Sequence, residues 1–134
     1  MDYFKEAFGG FNPQQDKDAA LKFSLCVLML DGRTEELLRL VKGADRFGGV
    51  EGEPGWIIER REDGEQVGYE AWPDDARFRA YVEPGSYSLA YPEFFSDRQT
   101  FFRYVQAIVA EYVRRYPDKT AFANKVNEAM VLSR

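Results

Sequence analysis

The sequence predicts an α+β fold: an antiparallel β-sheet of about four strands, with helices from the N-terminal third and the C-terminal third packed on it. Three observations predict it. Up to about Gly43, apolar residues recur at helical spacing between clear stops. From Phe47 to Tyr91, glycine, proline and short alternating runs replace that period. After Ser96, the helical period returns. Helical and strand patterns that segregate along a chain, rather than alternate, belong to an α+β domain. At 134 residues, with no internal repeat, the chain has the length of a single domain spanning 1–134.

Taken in order, DYFKEAF (2–8) predicts a short helix capped by Asp2, with Phe4 and Phe8 on one side, broken at Gly9-Gly10 and Asn12-Pro13. A second helix starts near Asp16 or Asp18 and runs through Ala19 to Leu30. Its later half, from Phe23, is apolar nearly all round, which predicts burial. Cys26–Leu30 alone is also compatible with a short strand, since a brief apolar run does not fix the period. Asp31-Gly32 ends this element. Thr34 is expected to cap a third helix, TEELLRLVK, with Glu35 and Glu36 in its first turn and Gly43 at its close.

The next stretch, rich in glycine between Gly48 and Gly64, reads as a loop. Trp56–Arg61 and Val67–Trp72 then read as strands joined by a hairpin at Asp63-Gly64. Pro73-Asp74-Asp75 turns the chain, Arg77–Val82 alternates like a half-buried strand, and Glu83-Pro84-Gly85 turns it again. Tyr87–Tyr91 reads as the last strand, and four consecutive strands with short turns predict a meander. After a turn at Tyr91-Pro92-Glu93, Ser96 with Gln99 forms a capping-box pattern. Phe101, Tyr104 or Val105, Ile108 and Tyr112, joined by Phe102, Val109 and Val113, give the helix that follows a wide apolar stripe suited to lying across a sheet. Arg114 and Arg115 suit its C-terminal dipole, and Pro117 stops it. Asp118 is expected to cap a final helix carrying Phe122, Val126 and Met130.

Composition narrows the chemistry. The chain has no histidine and one cysteine, Cys26, set in an apolar run. Ser-His-Asp and Cys-His catalysis, histidine zinc sites and thiolate clusters are therefore impossible within the chain. Cys26 reads as a small buried hydrophobe, in keeping with a reducing compartment. Neither GxxxxGK[ST] nor GxGxxG occurs, and Gly48-Gly49 and Gly52 lack the lysine and helix start a phosphate loop needs. No cofactor or metal is expected, and the protein reads as a non-enzyme. Carboxylate chemistry survives only as a third reading, which requires a cleft holding acids of raised pKa. The N-terminus lacks a signal-peptide pattern and no apolar run reaches membrane length, so a soluble, cytoplasmic protein is expected.

Charge is the more informative property. The net charge is -5 and the sequence pI is about 4.9, which disfavours direct nucleic-acid binding. Residues 51–93 hold 11 acidic residues against 4 arginines and no lysine, a net of -7, whereas the remainder carries +2. Acidic turns beside Trp56, Tyr69, Trp72, Tyr81 and Tyr87 suit a basic protein partner, charge steering the encounter and aromatics supplying affinity. Solvated turns and half-buried strand aromatics would look the same from charge alone. On charge and turn position, Glu51, Glu53, Glu70, Trp72, Asp74 and Asp75 are the candidate contact residues.

Tyr91-Pro92-Glu93-Phe94, Tyr112 and Tyr116-Pro117-Asp118 follow the order strand, Tyr-x-Glu-Phe-like element, helix with a late tyrosine, stop. In this the chain resembles the immunity proteins of bacterial contact-dependent growth inhibition systems, specifically the ribonuclease-toxin immunity group. The preceding GGVEGEPGWIIERREDGEQVGYEAW stands where that group has its sheet. The resemblance spans about residues 47–128, with FFSDRQ (94–99) resembling an insertion. It implies a cytoplasmic inhibitor that binds a cognate toxin's C-terminal nuclease domain, and it lends no contact residues. The alternative from another class is an acidic adaptor or regulatory module that binds a cellular protein through its sheet edge.

Overall fold

The computed structural model describes residues 3–43 and 48–133. It is an α+β fold with, among the described residues, five α-helices and four strands: α1 (Tyr3–Phe8), α2 (Ala19–Leu30), α3 (Thr34–Lys42), β1 (Gly49–Gly52), β2 (Trp56–Arg60), β3 (Phe78–Val82), β4 (Glu93–Ser96), α4 (Arg98–Arg115) and α5 (Thr120–Leu132). The strands form one antiparallel meander in the order β1-β2-β3-β4.

The organising element is α2. Nine of its residues are buried, from Ala19 to Met29, because apolar side chains surround its axis. One side packs on β2, β3 and β4 and the others on α1, α3 and α4. Cys26–Leu30 belongs to this helix, so the strand alternative is overturned: the run continues an unbroken helical ladder to Asp31. Cys26 is buried and free of any disulfide. The helix that lies across the sheet is thus α2 and not α4. The stripe of α4 is buried as expected, at Phe101, Phe102, Val105, Ile108, Val109 and Tyr112, but it reaches the sheet near one corner. There Phe101 stacks on Phe78 with ring centroids 3.7 Å apart and planes 6° from parallel. Val126 and Met130 of α5 join the core, with Phe122 half-buried at its edge.

Alternation in the strands separates two faces. Trp56, Ile58 and Arg60 of β2, with Phe78, Ala80 and Val82 of β3, point to the helices and are buried. The opposite face carries two cross-strand rows, Glu51–Ile57–Tyr81–Glu93 and Gly49–Glu59–Arg79–Phe95. Its middle is held by Arg79, which donates to Glu93 at 2.6 Å and to Glu59.

Several expectations give way to tertiary contacts. Two of the four strands are not those the pattern indicates. Gly49–Gly52, inside the stretch read as a loop, is β1. Glycine suits it because a Cβ at Gly49 would lie 2.7 Å from the Ile58 carbonyl oxygen. Val67–Trp72 is no strand and Asp63-Gly64 is no two-residue hairpin. Gly64 does turn with φ +85, but the whole of Arg61–Arg77 then forms an irregular connection closed from within by the Arg61 guanidinium. Tyr87–Tyr91 is not a strand either, because Ala90 N–H donates to the Pro13 carbonyl (2.8 Å) instead of to β3. Pairing with β3 resumes at Pro92, whose carbonyl accepts from Val82 N–H, so Glu93 lies in β4 and not in a turn.

Three caps also move. Ser96 stays in β4, its carbonyl accepting from Arg77 N–H, and Asp97 caps α4 by accepting from Thr100 N–H at 2.7 Å, so there is no Ser96–Gln99 capping box. Thr34 is the first residue of α3, not its cap; Arg33 precedes it, paired with Glu36. Asp118 falls in a single 3₁₀ turn, Pro117–Lys119, and makes no cap bond to α5. Gly43 does close α3, with φ +68. The Asp2 cap lies outside the described residues.

Candidate functional interface

The uncovered face of the sheet is the candidate interface. In an antiparallel meander the turns after β1 and β3 lie at one end and the connection after β2 at the other. The candidate contact residues divide accordingly. Glu51 and Glu53 stand at the β1–β2 turn. Glu70, Trp72, Asp74 and Asp75 stand on the β2–β3 connection, at the opposite end of β2, roughly 13 Å away at about 3.3 Å per residue. The structure brings the last four together on one segment and does not bring Glu51 and Glu53 to them.

The β2–β3 connection is ordered by its own residues. Arg61, only 4% exposed, donates from Nε to the Glu65 carbonyl (2.8 Å) and from Nη1 to the carbonyls of Pro73 (3.3 Å) and Ala76 (3.5 Å). Trp72 is half-buried between Tyr69 and Phe95, at centroid distances of 4.9 and 5.4 Å, so it closes one end of the open face. Arg77 binds Asp63 at 2.7 Å, and this bond, with Arg98 nearby, holds the Asp63 carboxyl below the usual carboxylate range. Glu70 accepts from Gly68 N–H, where φ is +89. At the tip, Val67 is 90% exposed, a hydrophobic side chain displayed beside Glu65 and Glu70.

At the other end, Glu53-Pro54-Gly55 meets Glu83-Pro84-Gly85. Glu83 N–H donates to the Gly55 carbonyl at 2.7 Å, and a Cβ on Gly55 would lie 2.7 Å from Ser86 Oγ. The two turns and the ends of β1, β2 and β3 border an open groove of about 610 Å³ lined by Ile57, Tyr81, Glu51, Glu53 and Glu83 among others. Trp56, also in the lining, is anchored inward by Nε1–H donation to the Glu53 carbonyl. Ile57 and Glu83 were missed by sequence reasoning, and Tyr81, named there among the aromatics beside the acidic turns, was not among the candidate contact residues. Strand parity would have found Ile57 and Tyr81, which alternate with the buried Trp56, Ile58, Ala80 and Val82.

All four arginines of the acidic segment 51–93 are engaged within the domain. Arg60 is buried, donating to the carbonyls of Leu40 (2.8 Å) and Val41 (2.7 Å) and to Glu62. Arg61 serves the β2–β3 connection, Arg77 binds Asp63, and Arg79 lies between Glu59 and Glu93. Glu51, Glu53, Glu65, Glu70, Asp74, Asp75 and Glu83 form no ion pair among the described residues.

Elsewhere, each displaced carboxyl among the described residues is held down. Backbone N–H donors lower Asp16 (from Asn12) and Asp97 (from Thr100), and arginines lower Glu36, Asp63 and Glu111. Such groups stay ionised, the opposite of an acid poised to give up a proton. Among the described residues no three His, Cys, Asp or Glu gather as metal ligands, and no helix is long and apolar enough to cross a membrane. Comparison with protein-family models, curated proteins and solved structures finds no match.

Proposed function

We propose that this protein is a non-catalytic, cytoplasmic inhibitor: an immunity protein that binds a cognate bacterial toxin with nuclease activity and neutralises it by protein–protein contact. The observation that carries the reading is the internal use of every arginine in the acidic segment. That leaves seven carboxylates, Glu65 included, without an ion pair among the described residues, around a sheet face on which no described helix packs. A surface that holds RNA is basic, so an acidic protein can occupy it in place of phosphates. A pre-ordered connection lowers the entropy cost of binding, and Val67 and Trp72 supply apolar area beside the charge.

The deciding experiment is to identify the adjacent gene and, where it encodes a toxin domain, to co-express the two. Restored growth, with tight association that weakens as salt rises, is the expected result. Growth arrest despite co-expression sinks the reading. Recovery of a housekeeping protein as partner, with no toxin encoded nearby, replaces it with the adaptor.

A further inference from the structure

The groove between the β1–β2 and β3–β4 turns has the chemistry for one kind of occupant. Its lining pairs apolar surface from Ile57, Tyr81 and Pro54 with the carboxylates of Glu51, Glu53 and Glu83. The cations beside it, Arg79 over Tyr81 and Arg33 over Trp56, are already paired with Glu59, Glu93 and Glu36. Its walls are fixed by the Glu83-to-Gly55 hydrogen bond and the close fit of Gly55 against Ser86. At about 610 Å³ it lies within the roughly 300–1,000 Å³ typical of binding pockets.

We infer that this groove receives a basic segment of the protein partner, with an arginine side chain laid along the floor. The arginine stem covers the Ile57 and Pro54 surface, as long cationic side chains do when their heads stay polar. Its planar guanidinium forms charge-assisted, bidentate hydrogen bonds with the glutamates, while the Tyr81 ring, which carries the chain's own Arg79 at 4.8 Å, supplies apolar surface at the side. The β2–β3 connection carries six acids, twice the groove's number, and displays Val67 at its tip rather than along a strand floor, and so serves to steer rather than to seat. This inference rests on the binding reading above.

The test uses the whole chain and a short acetylated, amidated peptide bearing two arginines around a leucine, titrated while amide NMR shifts are followed at physiological salt. Saturable shifts at Gly52, Gly55, Ile57 and Tyr81 are expected. E51Q/E53Q/E83Q, all at exposed positions, weakens binding at least tenfold. E35Q/D118N/E128Q changes the net charge equally, at exposed positions outside the open sheet face and its turns, and stays within about twofold. Equal weakening by both triple variants, or shifts centred on the β2–β3 connection, overturns the inference, since only diffuse charge is then at work. Equal affinity for the lysine version of the peptide overturns the arginine assignment. E53K, a second variant, places a cation at the groove and abolishes the shifts if the inference holds. If the neighbouring toxin proves no partner while the peptide still seats in the groove, the immunity reading falls alone. If the toxin is neutralised as well by E51Q/E53Q/E83Q as by the native chain, the groove falls alone.

Discussion

Arg61 donates from Nε to the Glu65 carbonyl at 2.8 Å, so a cation in the most acidic segment of the chain is spent on backbone rather than on a carboxylate. The consequence is twofold: the β2–β3 connection is given a fixed shape, and the surrounding acids keep their charge. Arg61→Met removes the donors while keeping an aliphatic stem, leaving the carbonyls of Glu65, Pro73 and Ala76 short of partners. A cost of about 1–3 kcal/mol is expected in urea unfolding. A glutamate-specific protease should also cut after Glu65 and Glu70 much faster in the variant. Unchanged cleavage means the connection is held by Tyr69 and Trp72 packing instead.

Asp97, and not Ser96, starts α4, and the distinction is measurable. Asp97→Ala removes the acceptor of Thr100 N–H and should cost about 1 kcal/mol. Gln99→Ala, which would break a capping box, should be neutral or slightly stabilising, because Gln99 is exposed and alanine is the better helix former. Thermal unfolding of the two variants separates the arrangements; a larger loss from Gln99→Ala would restore the capping box.

These caps show what a sequence can and cannot transmit. The helices were legible because period, glycine stops and apolar stripes act within a few residues. α2 betrays its burial by being apolar all round, and Gly43 its left-handed close. Strands depend on partners. Gly49–Gly52 has poor local strand character yet pairs with β2, whereas Val67–Trp72 has good character and pairs with nothing, because the Arg61 guanidinium binds the carbonyls at either end of it. At the interface, the acidic excess of residues 51–93 was visible, and so were the individual acids. Their grouping was not, since it follows from which turns a meander places at the same end. Nor was the fate of the arginines, which only tertiary contacts with Leu40, Val41, Glu65 and Pro73 decide.

The stacked pair Phe78 and Phe101 joins α4 to β3, and both rings are fully buried. Phe101→Ala should therefore cost about 3–5 kcal/mol, from lost burial and the cavity left behind. Tyr116→Ala, on an exposed ring at the end of the same helix, should cost under about 1 kcal/mol. Comparable losses from the two would mean that α4 is held by its C-terminal end instead.

Glu111 makes the pH dependence predictable. It is 4% exposed, and Arg114 at 2.7 Å and Arg115 at 2.6 Å hold its carboxyl below the ordinary 4.5. Arg115 in turn stacks on the Tyr3 ring at 3.8 Å, and burial pushes the Tyr3 hydroxyl up to about 12. A carboxyl whose pKa is lower in the folded state stabilises the fold fully above its unfolded pKa, and that stability is lost as pH falls through the folded value. Asp16, Glu36, Asp63 and Asp97 shift in the same direction. With no histidine to titrate between them, unfolding free energy should be nearly flat from about pH 7 to pH 5 and fall below about pH 4.5. Glu111→Gln should lose about 1–3 kcal/mol at pH 7, because a neutral amide replaces the buried carboxylate that accepts charge-assisted bonds from Arg114 and Arg115. It should also show a shallower acid limb, so that the variant and native curves converge near pH 2. Urea titrations across this range read both effects together. Parallel curves with a constant gap would show that Glu111 acts through packing rather than through its charge.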